Sequence, residues 1–153
     1  MECRIPVMRR VRIFLALLLL LAVGATAATP DRVVLIVNAR ADFASLDLAE
    51  VRKLFLGFPV IREGVALHPL RNQSDARLDE VFLQNIVGMS DITYDRRVLS
   101  LMLQQGRTPP PSVRSRQQLL SAMASDPYAV SFAWESQVAS SPQVKILGVL
   151  WHE

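Results

Sequence analysis

The sequence predicts an α/β domain, a small mixed β-sheet flanked by helices. Three observations predict it. Arg32 to Asn38 (RVVLIVN) is an unbroken β-branched run, the pattern of a strand covered on both faces. The segments after it repeat their apolar residues every three or four positions, which is the period of a helix with one buried face. Two more strand-like runs, Tyr128 to Trp134 and Val144 to Leu150, follow late in the chain. Strand, helix, strand, helices, strand, strand is the order of a mixed sheet with helices packed on it.

Each element has its own local warrant. In LDLAEVRKLFLG, Leu48, Val51, Leu54 and Phe55 fall on one helical face. Asp47 and Glu50 have capping-box spacing, and Gly57 is placed to end the helix. Val65 to Arg71 (VALHPLR) is a weaker strand; Pro69 lacks an amide donor, so it belongs at a sheet edge. A helix from Ala76 to Val87 turns Leu78, Val81, Phe82 and Ile86 inward and stops at Gly88. Ser90 caps a further helix through Gln105, whose apolar face is Tyr94, Val98, Leu101 and Met102, and Gly106 ends it. The TPPPSV stretch, Thr108 to Val113, is an extended connector because its prolines cannot sit in a helix interior. Ser115 and Gln118 give a second capping box for a helix carrying Leu119, Leu120 and Met123, and Asp126-Pro127 turns the chain toward the late strands.

The N-terminus carries a different message. Arg9, Arg10 and Arg12 precede the unbroken apolar run Ile13 to Val23, and small residues Gly24-Ala25-Thr26-Ala27-Ala28 follow. Charge, short apolar core and A-x-A site predict a secretory signal peptide over residues 1–27, cleaved after Ala27. The run is too short for a bilayer core, which takes about 20 residues. Met8 opens a complete signal sequence of its own, so translation starting there is an alternative to Met1. The domain proper is residues 28–153, and its expected location is the periplasm. Cys3, the single cysteine, precedes the apolar core, so the domain has no thiol and no disulfide.

Composition excludes several functions. The chain has 17 basic and 14 acidic residues, but residues 28–153 hold 13 of each. That balance lacks the basic excess of a nucleic-acid binder. His68 and His152 have no ligand-spaced partner, so no metal site is expected. No serine lies in a G-x-S-x-G elbow, and no cofactor motif is present, so the chain reads as a non-enzyme. Trp134 reads as core. Charge is nonetheless uneven: Asp75 to Asp95 carries five acids against Arg77, whereas arginines 96, 97, 107, 114 and 116 stand in a stretch without an acid. These are either solvated helix faces or a docking surface for an acidic partner or anionic lipid.

Three segments taken together carry a resemblance: LDLAEVRKLFLG; HPLRNQSDARLDEVF followed by VGMS; and GRTPPP with DPYAVSFAW. They resemble the phosphate-binding-protein-like domain of the type 2 periplasmic solute-binding proteins, which includes the substrate-binding subunits of phosphate ABC transporters. The resemblance implies binding of phosphate or a similar oxyanion and delivery to a membrane transporter. Those proteins close two lobes on their ligand, and this chain has the length of a single lobe.

The resemblance also implies a site. The family holds its anion at a strand-to-helix junction with a pattern close to R-x-D-G-S-G-T, where helix amides, hydroxyls and an arginine converge. The matching stretch is Arg71-Asn72-Gln73-Ser74-Asp75-Ala76-Arg77. Arg71 keeps its identity, while Asp75 stands for the serine, Ala76 for the second glycine and Arg77 for the threonine. The Asp75 carboxylate would repel a divalent anion. Read without a ligand, Ser74 or Asp75 caps the helix and Arg71 pairs with a nearby acid. The same fold would then serve as a non-catalytic module that binds a transporter or a sensor protein.

Overall fold

The computed structural model describes residues 31–153. The expected signal peptide, Met8 and Cys3 lie outside the described residues. Four strands form the central sheet in the order β4-β7-β1-β8. They are β1 (Arg32–Asn38), β4 (His68–Pro69), β7 (Ala129–Trp134) and β8 (Val144–His152). β1 runs antiparallel to both β7 and β8, and β4 runs parallel to β7, so the sheet is mixed. Pro69 sits on the edge strand, where its missing amide costs no ladder bond.

Successive side chains of β1 point to opposite faces, and both faces are covered; this is why RVVLIVN has no polar alternation. Val33, Leu35 and Val37 face one core. It is completed by α1 (Leu48–Phe55), by α2 (Ala76–Val81) with the π-helical turn Phe82–Val87 that continues it, and by α3 (Asp91–Gln105). Phe55, Phe82 and Phe132 meet at its centre, with Phe82 and Phe132 stacked and Phe55 edge-on to both. Val34 and Ile36 face the other core, built with α4 (Arg116–Ser125) and the short α5 (Glu135–Val138). The result is a three-layer α/β/α arrangement.

Local chemistry sets the helix ends. Asp47 accepts from the Glu50 amide at 2.8 Å and Glu50 accepts from the Asp47 amide at 3.0 Å, the reciprocal box expected before α1. The Arg62 guanidinium, bonded to the Glu50 carboxylate, holds that carboxyl below its ordinary range. At Gly57, φ is +82° and a Cβ would come within 3.1 Å of the Thr108 carbonyl, so the chain closes there only without a side chain. Helices end at Gly88 and Gly106 as expected.

Several expectations need correction. The single strand expected over Val65 to Arg71 is three short pieces. β3 (Val65–Ala66) closes a hairpin with β2 (Ile61–Arg62), β4 joins the central sheet, and β5 (Arg71–Asn72) pairs in parallel with β6 (Ser112–Val113). Leu48 and Met102, assigned inward, are 41% and 39% exposed. Leu48 is the first residue of α1, a turn ahead of the buried Val51, Leu54 and Phe55, and Met102 adjoins Leu101 on an α3 face whose buried residues are Tyr94 and Leu101. Around α4 the second box is open: Ser115 accepts from the Gln118 amide, but the Gln118 side chain accepts from Arg114. The connector is extended through Pro111 and then gains ladder bonds as β6.

Candidate functional site

All seven residues of the 71–77 stretch fall on β5, on the turn after it and on the first turn of α2. Arg71 is held with 6% of its surface exposed because β5 is pinned on both sides. Its amide donates to the Pro111 carbonyl at 2.8 Å, and the next strand residue, Asn72, is wholly buried and donates to the Phe132 carbonyl at 2.9 Å. The Asn72 side-chain oxygen accepts from the Ser74 amide at 3.1 Å and the Ser74 hydroxyl at 2.6 Å, which shapes the turn. Gln73 donates its amide to the Val113 carbonyl at 2.8 Å.

Asp75 is the N-cap of α2. One carboxylate oxygen accepts from the Leu78 amide at 3.0 Å, and the other accepts from the Trp134 indole at 3.3 Å. A negative charge at a helix N-terminus is favourable. It occupies the position that an anion bound to those amides would need. Ala76 is exposed in the first turn. Arg77 turns away: it pairs with Asp31 and Glu153 and lies over the Trp134 ring, 5.6 Å from its centroid.

The Arg71 guanidinium meets three carboxylates. Nε and Nη2 make a two-point contact with Asp79 at 2.9 and 2.7 Å, Nη2 also reaches Asp91 at 2.6 Å, and Nη1 reaches Asp95 at 3.4 Å. Its carbon stands 4.7 Å from the centroid of the Tyr94 ring. Burial alone would lower the arginine's affinity for its proton, but the bonds to Asp79 and Asp91 outweigh it and hold the group above its ordinary value. Tyr94 donates to the Phe55 carbonyl at 2.6 Å, and burial pushes its hydroxyl up to about 12.

The sequence alternative in which Asp75 caps the helix and Arg71 pairs with a nearby acid matches the geometry, but Arg71 and Asp75 do not touch, and the partners Asp79, Asp91 and Asp95 were not named. The run of acids between Asp75 and Asp95 was the available signal. Three carboxylates meet one guanidinium, so an incoming anion meets excess negative charge. The arrangement is chemically a closed charge network linking β5, α2 and α3.

Among the described residues, no three-residue group of histidine, cysteine or carboxylate side chains could hold a metal ion, and His68 pairs with Asp126 at 2.6 Å. No helix among them is long and apolar enough to cross a membrane.

No family model matches the chain. No curated protein matches it. Solved structures do. An ABC-type phosphate transport receptor from Vibrio cholerae matches over 77% of this chain and 46% of its own, with 14% identity and a TM-score of 0.56. A possible phosphate binding protein from Planctomyces limnophilus matches over 77% and 41%, with 13% identity and a TM-score of 0.54. PstS from Borrelia burgdorferi matches over 78% and 47%, with 11% identity and a TM-score of 0.52. The described chain therefore spans less than half the length of each of these proteins. Its mixed sheet and flanking helices have the fold of one lobe of the periplasmic phosphate-binding proteins.

Proposed function

We propose that this protein is an exported, non-catalytic interaction module that uses a single solute-binding lobe. Its anion position is filled by its own carboxylates, and it works in the periplasm with a membrane transporter or a sensor protein. One observation carries this reading: Arg71 is committed to Asp79, Asp91 and Asp95. A carrier would need that guanidinium, and the amides capped by Asp75, directed at the ligand. Export rests on the signal-peptide pattern of residues 1–27.

A second reading keeps the anion. It is favoured by the fold, shared with proteins described as phosphate receptors or binding proteins, and by the site's position at a strand-to-helix junction. Here Asp91 and Asp95, whose side chains are both 66% exposed, would swing away and release Arg71 to phosphate.

Isothermal titration with phosphate and sulfate separates the two. The protein purified after export should give no binding heat up to millimolar anion. Asp75→Ser keeps a good cap and removes a charge, and Asp91→Asn with Asp95→Asn weakens the competing pairs. Neither change should create binding. Submillimolar phosphate affinity in the unmodified protein, strengthened by either change, would establish the carrier reading instead.

A further inference from the structure

Two features of the open sheet edge meet at one place. β8 is the terminal strand of the sheet among the described residues, so one of its sides bonds to β1 and the other faces no strand. Its register with β1 is regular from Asn38↔Val144 to Ile36↔Ile146. It then slips between Leu35 and Ile36, and again between Val33 and Val34. Such bulges bend an edge and stop long edge-to-edge pairing. The regular run Val144–Ile146 is the part left for another strand. The Ala39 amide donates to the Gln143 carbonyl at 2.9 Å, so Gln143 faces β1. Alternation along an antiparallel ladder then turns the amide and carbonyl of Ile146 outward. Its side chain is 40% exposed.

Beside this run lies a groove of about 720 Å³ between one face of α4 and the loop that enters β8. Leu120, Ala124 and Pro142 supply an apolar floor. Arg116 stands at one end of α4, donating to the Ser141 hydroxyl at 3.2 Å, and no carboxylate lines the groove. An apolar trough with a cation at one end complements an apolar segment that carries acidic side chains.

We propose that Val144–Ile146 and this groove form a docking site for an extended, apolar and acidic peptide segment of a partner protein, added as a strand to β8. Main-chain bonds to Ile146 supply affinity, and alternate side chains entering the groove supply specificity. The site names the contact surface of the interaction module and rests on that reading. A second copy of the chain fits less well, because β8 (VKILGVLWH) carries no acidic side chain to meet Arg116.

The test is selection of peptides from a random displayed library on the purified protein, followed by fluorescence anisotropy with the selected peptides. Enriched sequences should alternate apolar and acidic residues. Ile146→Pro removes only an outward amide, which an edge strand tolerates, and Arg116→Glu reverses the charge at the groove's end. Each should weaken binding at least tenfold with the melting temperature unchanged. No enrichment over an unrelated control protein, or peptides that bind both variants as tightly as the unmodified chain, would overturn the proposal. So would a dimer in sedimentation that Ile146→Pro dissociates. Phosphate titration of the same preparation reads separately: heat there defeats the interaction reading and leaves the peptide affinities unchanged.

Discussion

Tyr94 joins three structural roles in one side chain: it fills a core position, bonds the Phe55 carbonyl and underlies the Arg71 guanidinium. Its hydroxyl keeps its proton to about pH 12 in the fold because burial disfavours the phenolate. In the unfolded chain the same group ionises near pH 10. Its contribution is therefore complete below about pH 10 and is lost as the pH rises to about 12, because the unfolded state releases the proton first. Urea midpoints measured between pH 9 and pH 12 should fall across that window. Tyr94→Phe should flatten the fall and lower stability by about 1 kcal/mol throughout, the worth of one net hydrogen bond. An unchanged slope in Tyr94→Phe would assign the alkaline loss to another group. The sequence placed Tyr94 in the core by helical spacing alone, but its bond to Phe55 lies 39 residues away and has no local signature.

Arg71 ties β5 to α2 and α3, and that role appears only once elements are assembled. Its partners lie 8, 20 and 24 residues downstream, too far apart for any motif to connect them. Caps were legible because Asp47, Asp75, Ser90 and Ser115 act within three residues of themselves. The two-residue strands were not, since β2 to β6 owe their existence to partners elsewhere. Arg71→Met should cost about 3–5 kcal/mol, because it leaves the Asp79 carboxylate, 13% exposed, without its counter-charge. Asp95→Asn, at a largely exposed position, should cost at most about 1 kcal/mol. Thermal denaturation of both variants checks the ranking. Equal, small losses would mean that α3 is held by Tyr94 and Leu101 alone.

The whole molecule joins its first strand to its last two. β1 is the central partner of both β7 and β8, and Asn38 at its end reaches across to the Met123 and Asp126 carbonyls at the close of α4. The strand most legible in the sequence is thus the one least able to hold its place alone. A chain that emerges N-terminus first carries β1 without its strand partners until β7 and β8 arrive, and contacts of such long range form late. Under the proposed export that delay would be useful, since a chain whose β8 is not yet made stays threadable. It also makes the final strand decisive. A chain ending at Gln143 lacks β8, exposes one whole side of β1, and should show no cooperative unfolding by circular dichroism. A sharp transition in that truncated chain would mean that β1 and β7 suffice, and that folding could begin before synthesis ends.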